Sequence, residues 1–124
     1  HWRYVANRGD AGWIGRREAG VDQGETGEIA MFQLNDGDDR EAFLRAAEVT
    51  TGWLRTRPGY LGRDLLEEDG GQWVDLVRWS TIDQARSTAE AMLRATETGP
   101  FVAAIDPATV RMLHPRLVAR YRQP

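Results

Sequence analysis

The pattern of apolar side chains becomes regular from about residue 28. Residues 28–34 are apolar on both alternating faces, which predicts a strand that is buried on both sides. An Asn-Asp-Gly run ends this strand. Asp38 stands three residues before Glu41, the spacing of a capping box, and apolar residues follow at helical spacing as far as Leu54. A first helix is therefore predicted, which stops at the next Pro-Gly pair.

Three further segments have the composition of strands, namely residues 60–67, 72–79 and 109–114. The first two are joined by a hairpin turn at residues 68–71. Pro115 cannot donate a backbone hydrogen bond, so the last strand ends or bulges there. Residues 117–121 are predicted to continue that strand along the edge of the sheet.

A second helix is predicted between the third and fourth strands. Ser80 or Thr81 provides its N-cap. Its apolar face consists of Ile82, Ala85, Ala89, Met92 and Leu93. The Gly99-Pro100 pair is predicted to end this helix, and residues 101–105 are predicted to form one short helical turn.

The order strand, helix, strand, strand, helix, strand is that of the split βαβ unit. It predicts an α+β, ferredoxin-like βαββαβ domain with an antiparallel four-stranded sheet, over residues 27–124. Its helices cover one face of the sheet, whereas Ile29 and Met31 leave the other face too apolar to stay in water. We therefore expect a homodimer in which two sheets pair into a dimeric α/β barrel.

Residues 1–26 do not follow this pattern. They are rich in glycine, and their apolar residues hold no single period. Two interpretations stay open for this segment. It is either an arm that lies over the domain or its partner subunit, anchored by Trp2 and Trp13, or a small hairpin.

Composition removes several classes of function. The 16 basic and 19 acidic residues give a net charge of -3, which argues against a nucleic-acid partner. The absence of cysteine excludes disulfides, thiolate nucleophiles and Cys-ligated metals. With only His1 and His114, a multi-histidine metal site would need carboxylates or a second subunit. No apolar run approaches the roughly 20 residues of a membrane helix, and no signal-peptide pattern is present, so we expect no membrane partner and a cytoplasmic location.

Three segments resemble a known family. They are residues 58–62 (PGYLG), 73–79 (WVDLVRW) and 105–112 (IDPATVRM), and they are similar to the antibiotic-biosynthesis-monooxygenase-like group of the dimeric α/β-barrel superfamily. The resemblance covers roughly residues 28–114. It implies the dimeric fold predicted above, with a pocket between the sheet and the helices of each subunit.

The resemblance also narrows the activity. This superfamily contains cofactor-free monooxygenases of aromatic polyketides, heme-degrading enzymes and lactone isomerases. The heme-degrading branch carries its iron-ligating His on the second helix, but residues 81–98 contain no His. Phe32 also stands about where that branch has an Asn. Heme degradation is therefore not expected, and we expect no metal, flavin or heme cofactor.

The third predicted strand carries two candidate site residues. Trp79 matches a pocket position of several of the family's heme degraders, which makes it a candidate for stacking on a substrate, although a core Trp would satisfy the same pattern. Asp75 shares the face of Trp79 by period-two alternation. A carboxylate in mid-strand must be paired, solvated or functional, so Asp75 is either a catalytic base or the partner of Arg63 or Arg111.

Four other residues complete the predicted site. His114, the only histidine of the domain, could act as a general base near neutral pH or have a structural role. Tyr60 could orient a phenolic substrate through its hydroxyl group or pack in the core. Trp53 lies off the apolar stripe of the first helix, so it faces the mouth of the pocket or the N-terminal arm. Phe32 is the candidate for substrate contact on the first strand.

Two functions remain open from the sequence. The first is a cofactor-independent monooxygenase of aromatic or polyketide-like small molecules in secondary metabolism. In such an enzyme a phenol or enol is deprotonated in a dry pocket, and its carbanion reduces O₂ directly. The second is a binding or auxiliary module without turnover, or a cofactor-free isomerase or cyclase.

Overall fold

The computed structural model describes residues 24–124. Residues 1–23, which include Trp2 and Trp13, lie outside the described residues. The interpretation of the N-terminal segment as an arm or a hairpin stays a prediction. In chain order, the described elements are β1 (Thr26–Phe32), α1 (Arg40–Leu54), β2 (Tyr60–Glu68), β3 (Gln72–Trp79), α2 (Ile82–Met92), α3 (Gly99–Ala104), a 3-10 turn (Pro107–Thr109) and β4 (Arg111–Leu113).

The four strands form one antiparallel sheet in the order β2-β3-β1-β4. On one side β1 pairs with β3, where Ala30 is opposite Asp75 and Glu28 is opposite Val77. On its other side β1 pairs with β4, where Ala30 is opposite Met112. β3 therefore separates β1 from β2, as the split βαβ order requires. The α+β, ferredoxin-like fold predicted from the sequence is confirmed.

β3 shows the alternation that distinguishes the two faces of the sheet. Its bounds are those predicted from the sequence. Trp73, Asp75, Val77 and Trp79 are buried, and the residues between them are half-buried. The buried face is the one that the helices cover, because side chains of α1, α2 and α3 pack against its residues. Asp75 and Trp79 thus share the helix-covered face, as period-two alternation predicts.

The N-caps of the two main helices need one correction to the sequence analysis. Asp39, and not Asp38, caps α1: its backbone is extended and its carboxylate accepts a hydrogen bond from the amide of Glu41 at 2.9 Å. The amide of Asp38 instead donates to the carbonyl of Asn35, so Asp38 belongs to the preceding turn. α2 is capped by Thr81, one of the two residues predicted for this position.

The end of α2 also differs from the prediction. α2 ends at Met92, and the Gly99-Pro100 pair begins α3 instead of ending α2. Proline is well tolerated in the first turn of a helix, because the amide proton that it lacks has no partner there. The hydroxyl of Thr98 donates to the carbonyl of Met92 at 2.6 Å, which ties the start of α3 to the end of α2.

The last strand is shorter than predicted. Residue 109, the expected start of that strand, lies in the 3-10 turn, where the carboxylate of Asp106 accepts a hydrogen bond from the amide of Ala108. β4 itself has only 3 residues, and residues 117–121 form no strand. They approach β1 through an isolated bridge between Thr26 and Arg116 and one hydrogen bond from the Leu117 amide to the Glu25 carbonyl. The 3-10 turn includes residue 109, so the strand begins only at Arg111.

Two clusters of buried side chains lie between the sheet and the helices. The first consists of Phe32, Phe43, Ala47, Trp73 and Phe101. Its aromatic rings meet mostly edge to face, a favourable geometry for such pairs. The second consists of Leu54, Val77, Trp79 and Ala85. The two clusters hold the helices on the sheet at separate places.

The other face of the sheet has no helix over it within residues 24–124. The pairing register places six apolar side chains there: Ile29, Met31, Leu66, Val74, Leu76 and Leu113. In the single chain Leu66 is 53% exposed and Leu113 is 51% exposed. Arg78 lies across this face against Gly62, where an added Cβ would come within 2.3 Å of its guanidinium. We call this surface the open face.

Candidate active site

A cavity of about 340 Å³ lies on the helix-covered side of the sheet. Its lining includes members of both core clusters, so it lies between them. The sheet contributes Glu28, Ala30, Phe32, Asp75, Val77 and Met112 to its wall, and the helices and their connections contribute Leu54, Thr88, Ala89, Met92, Leu93, Phe101, Val102, Ile105, Pro107 and Val110. Its size is at the lower end of the range usual for small-molecule sites.

The wall of this cavity is almost entirely apolar. Only Glu28, Asp75 and Thr88 bring polar side chains to it. The exposed lining residues, among them Leu93 at 76% and Val110 at 38%, mark where the cavity meets the surface. An apolar cavity with a few placed polar groups is typical of sites that bind small organic molecules.

Glu28 is the centre of a polar cluster on the cavity wall. It projects from β1 on the same face as Phe32, because the two residues are an even number of positions apart. Its Oε1 accepts a hydrogen bond from the indole Nε1 of Trp79 at 3.2 Å. Its Oε2 lies 3.2 Å from Nε2 of His114. Glu28 retains 13% side-chain exposure whereas His114 has none, so the carboxylate is the member of the cluster that can meet a ligand.

The Glu28–His114 pair can hold a proton at two positions. When Nε2 of His114 carries the proton, it donates to the carboxylate, and when the carboxyl carries it, Nε2 accepts. The Trp79 indole is a donor only, and its bond to Oε1 holds the carboxylate in place. A carboxylate supported in this way can take a proton from a bound ligand within hydrogen-bond reach.

Asp75 also borders the cavity, but it is held by Arg63. Nε and Nη2 of Arg63 donate to its two oxygens at 2.8 and 2.7 Å. Both side chains are buried, with 5% of Arg63 and 9% of Asp75 exposed. Nη1 of Arg63 donates to the carbonyl of Ala47 and the hydroxyl of Thr51, and the guanidinium lies 4.9 Å from the ring centre of Phe101. The two-pronged ion pair fixes the carboxylate in place.

The six residues proposed from the sequence separate into two groups. Phe32 and Asp75 line the cavity. Trp79, Tyr60, Trp53 and His114 do not. The pairing of Asp75 with Arg63 is the structural alternative considered for that carboxylate. His114 reaches the cavity only through Glu28.

The position of Trp79 explains why it offers no stacking surface. Its ring has no exposed area, and the ring of Tyr60 packs against it edge to face with centres 5.9 Å apart. Trp53 packs against the same cluster and carries the guanidinium of Arg57 5.2 Å above its ring. These three aromatic residues form one end of the core, so Trp79 contributes its indole N–H and not its face.

Glu28 is the residue that the sequence analysis missed. Its position in the strand was the available clue. Glu28 is a charged residue in an otherwise apolar strand, and it shares the face of Phe32 because the two are an even number of positions apart. Thr88 and Met92, which line the cavity from α2, were likewise assigned no role there. No group of three or more His, Asp or Glu residues that could hold a metal ion occurs in the part of the chain that the structure describes. Within the same residues, no helix is long and apolar enough to cross a membrane.

Comparison with known proteins finds likeness in structure only. No protein family and no curated protein matches the sequence. Among solved structures, the chain is similar to SnoaB, a cofactor-independent oxygenase from Streptomyces nogalater, with 20% identity and a TM-score of 0.56 over 82% of this chain and 98% of that one. It is similar to the monooxygenase ActVA-Orf6 of Streptomyces coelicolor in complex with nanaomycin D, with 16% identity and a TM-score of 0.58 over 82% and 95% of the two chains.

A third similar structure comes from Bordetella bronchiseptica and is assigned to the antibiotic biosynthesis monooxygenases. It has 20% identity and a TM-score of 0.61, over 78% of this chain and 100% of that one. These neighbours have the fold that the resemblance in the sequence predicted. At such low identity the likeness establishes the fold alone.

Proposed function

We propose that this protein binds an aromatic, polyketide-like small molecule in its cavity and oxidises it with O₂ without a metal, flavin or heme. The observation that carries the proposal is the carboxylate of Glu28, which faces an apolar cavity and is supported from behind by His114 and Trp79. An apolar wall keeps water away from a reactive carbanion. A supported carboxylate provides the base.

Two of the similar structures favour the same chemistry. SnoaB is described as a cofactor-independent oxygenase, and ActVA-Orf6 holds the small molecule nanaomycin D. Our proposal extends both properties to this chain. Phe32 and Phe101 would supply the aromatic contacts with the ligand, since both line the cavity.

In the proposed reaction Glu28 removes a proton from a methylene carbon activated by neighbouring phenol rings. The resulting carbanion transfers its electrons to O₂, and a C–O bond forms. The peroxide takes a proton back from Glu28, and loss of water breaks its O–O bond and leaves a carbonyl group. The balance is CH₂ plus O₂ giving C=O plus H₂O, so O₂ is the only oxidant required. His114 shares the proton with Glu28 while the carbanion exists.

Oxygen consumption tests this proposal. We expect the protein to accelerate O₂ uptake with 1,8-dihydroxyanthrone, above the rate without protein. Glu28→Gln keeps the size of the side chain and removes the base, so kcat should fall about 10²- to 10⁴-fold. Glu90→Gln makes the same change at an exposed position of α2 and should leave the rate unchanged. Equal rates for wild type and Glu28→Gln would refute Glu28 as the base.

The second candidate function is ligand binding without oxidation, or a cofactor-free isomerisation or cyclisation. Asp75 is occupied by Arg63 and His114 has no exposed side chain, so Glu28 alone could act on a ligand. A protein that binds the ligand without turnover, or a cofactor-free isomerase or cyclase that moves a proton through Glu28, fits the same cavity. Binding of the anthrone without O₂ consumption would favour this candidate over the oxygenase.

We further propose that two copies of the chain associate through the open face. Its six apolar residues, with Leu66 and Leu113 about half exposed, form a surface that soluble monomers seldom leave uncovered. A second sheet covers it with matching chemistry, because a two-fold axis brings the same apolar patch to both partners.

The oligomeric state tests this association. Sedimentation of the wild type at micromolar concentration should give a dimer. Val74→Arg, which places a charge in the open face, should give a monomer. Val49→Arg is the matched control, since Val49 is 55% exposed on α1, and it should remain a dimer. A monomeric wild type would contradict the proposal.

A further inference from the structure

The cavity wall carries charge of one sign. The two ionisable residues that line it, Glu28 and Asp75, are both acidic, and none of its lining residues between positions 24 and 124 is basic. Elsewhere the chain has 16 basic residues, all of them arginine. The acidic character of the wall is therefore local and does not follow from a lack of cations in the chain.

Two arginines contact lining residues from outside the cavity lining: Arg63 at Asp75, and Arg57, whose Nε donates to the hydroxyl of Thr88 at 3.4 Å. Arg63 lies behind Asp75, outside the cavity lining, and each of its three nitrogens donates to a protein acceptor. Both oxygens of Asp75 accept from this guanidinium, and each has more acceptor capacity than one hydrogen bond uses. Asp75 thus presents a fixed acceptor to the cavity, whereas Arg63 presents no donor there.

The register of the sheet sets the spacing of the two carboxylates. Asp75 is opposite Ala30, and Glu28 lies two residues away from Ala30 on the same face. Diagonal neighbours of this kind have Cα atoms about 7–8 Å apart. Both carboxylates therefore face the same cavity from neighbouring strands.

From this arrangement we infer that the cavity selects neutral polyhydroxylated aromatic ligands and rejects their carboxylated analogues. The inference rests on the proposed function only in assuming that the ligand occupies this cavity. A neutral ligand donates a hydroxyl hydrogen bond to Asp75 and brings no charge to Glu28. Arg63 already matches the charge of Asp75. A ligand carboxylate would therefore bring an unmatched negative charge beside Glu28, into a poorly solvated space where salt screens little and no lining residue is basic.

A pair of matched probes tests this inference by binding alone. The probes are 1,8-dihydroxyanthraquinone and its 3-carboxylic acid, which share their rings and hydroxyl groups and differ by one negative charge. Titration calorimetry of the full chain at neutral pH should give a dissociation constant at least tenfold lower for the neutral probe. The readout is the ratio of the two constants, so contacts shared by both probes cancel.

Two variants test whether the acidic residues of the cavity wall cause the preference for the neutral probe. Glu28→Gln removes one charge, keeps the side-chain size and should lower the ratio at least threefold. Asp75→Asn should lower it as well, and because it also uncovers Arg63 it should bring the carboxylated probe closest to the neutral one. Glu90→Gln removes an exposed charge from α2 and should leave the ratio unchanged. Should Asp75→Asn fail to fold, the result for Glu28→Gln decides.

The outcomes separate the inference from the proposed function. A wild type that binds both probes equally, or prefers the acid, would overturn the inference and leave the proposed function standing. A ratio that Glu28→Gln does not change would overturn it too. If neither probe binds, the proposed function fails and the inference falls with it. Selective binding of the neutral probe, together with no O₂ uptake from 1,8-dihydroxyanthrone, supports the inference while contradicting turnover.

Discussion

Removal of the negative partner of Arg63 should destabilise the fold strongly. In Asp75→Asn the side chain keeps its shape, but the guanidinium of Arg63, with 5% exposure, loses its counter-charge. Breaking a buried ion pair on one side typically costs about 3–5 kcal/mol, because the remaining charge stays buried without compensation. Arg63 keeps its hydrogen bonds to Ala47 and Thr51 and its contact with the ring of Phe101. We therefore expect a loss near the lower end, about 3 kcal/mol.

The matched comparison is the double variant Arg63→Met/Asp75→Leu. It removes both charges and fills the space with apolar side chains, so no charge is left buried. Replacement of a buried pair in this way is often neutral or stabilising. We expect its free energy of unfolding to lie within about 2 kcal/mol of the wild type and above that of Asp75→Asn.

Urea denaturation followed by circular dichroism measures all three proteins. For a small domain with a slope of about 1–2 kcal/mol per molar urea, the expected loss moves the midpoint down by about 1.5–3 M. The proteins must be compared at one concentration, because association contributes to the apparent stability. A loss below about 1 kcal/mol for Asp75→Asn, or a double variant less stable than it, would show that Arg63 does not depend on Asp75.

Two more predictions concern glycine positions and a contact of the C-terminal segment. Gly59→Ala should lower the free energy of unfolding by more than about 1 kcal/mol, because φ is +85° there and a Cβ would come within 1.9 Å of the Gln84 amide. Gly52→Ala is the control, because a Cβ there would meet nothing within 4 Å. It should stabilise α1 by about 0.5–1 kcal/mol, and thermal unfolding measures both variants. The second concerns acid. The side-chain hydrogen bond from Arg120 holds the pKa of Glu25 below its usual 4.5, so this contact stabilises the fold above that pH and is lost as the pH falls through the lowered value. Hydrogen exchange in the C-terminal segment should accelerate there, and an unchanged rate down to full protonation of Glu25 would contradict the link.

Much of the fold follows from local patterns in the sequence. The hairpin turn before β3 and the helix cap after it predicted the bounds of this strand. Period-two alternation predicted the shared face of Asp75 and Trp79, because the side chains of a strand alternate whatever they pack against. Proline was less informative about where helices begin and end. The Gly99-Pro100 pair is compatible with the end of one helix and with the start of another, and only the packing of α3 decides between them.

The candidate site depends on contacts between distant parts of the chain. Glu28, Trp79 and His114 meet because β1 pairs with β3 and the chain after β4 returns to β1, and no spacing in the sequence links these three positions. The face of Trp79 was predictable, but its burial was not. That burial follows from Tyr60 packing on the ring at the end of the strand, which is a property of the assembled core.

The central position of β1 has a consequence for the synthesis of the chain. β1 pairs on both sides with strands that follow it, and about 40 residues separate its end from the start of β3. At about 5–20 residues per second, the ribosome needs roughly 2–8 s to make that stretch, and longer before β4 emerges. During this interval an apolar strand has both edges unpaired, which is the condition under which nascent chains aggregate or recruit chaperones. The strand that carries Glu28 thus waits for partners on both of its edges while the chain is being translated.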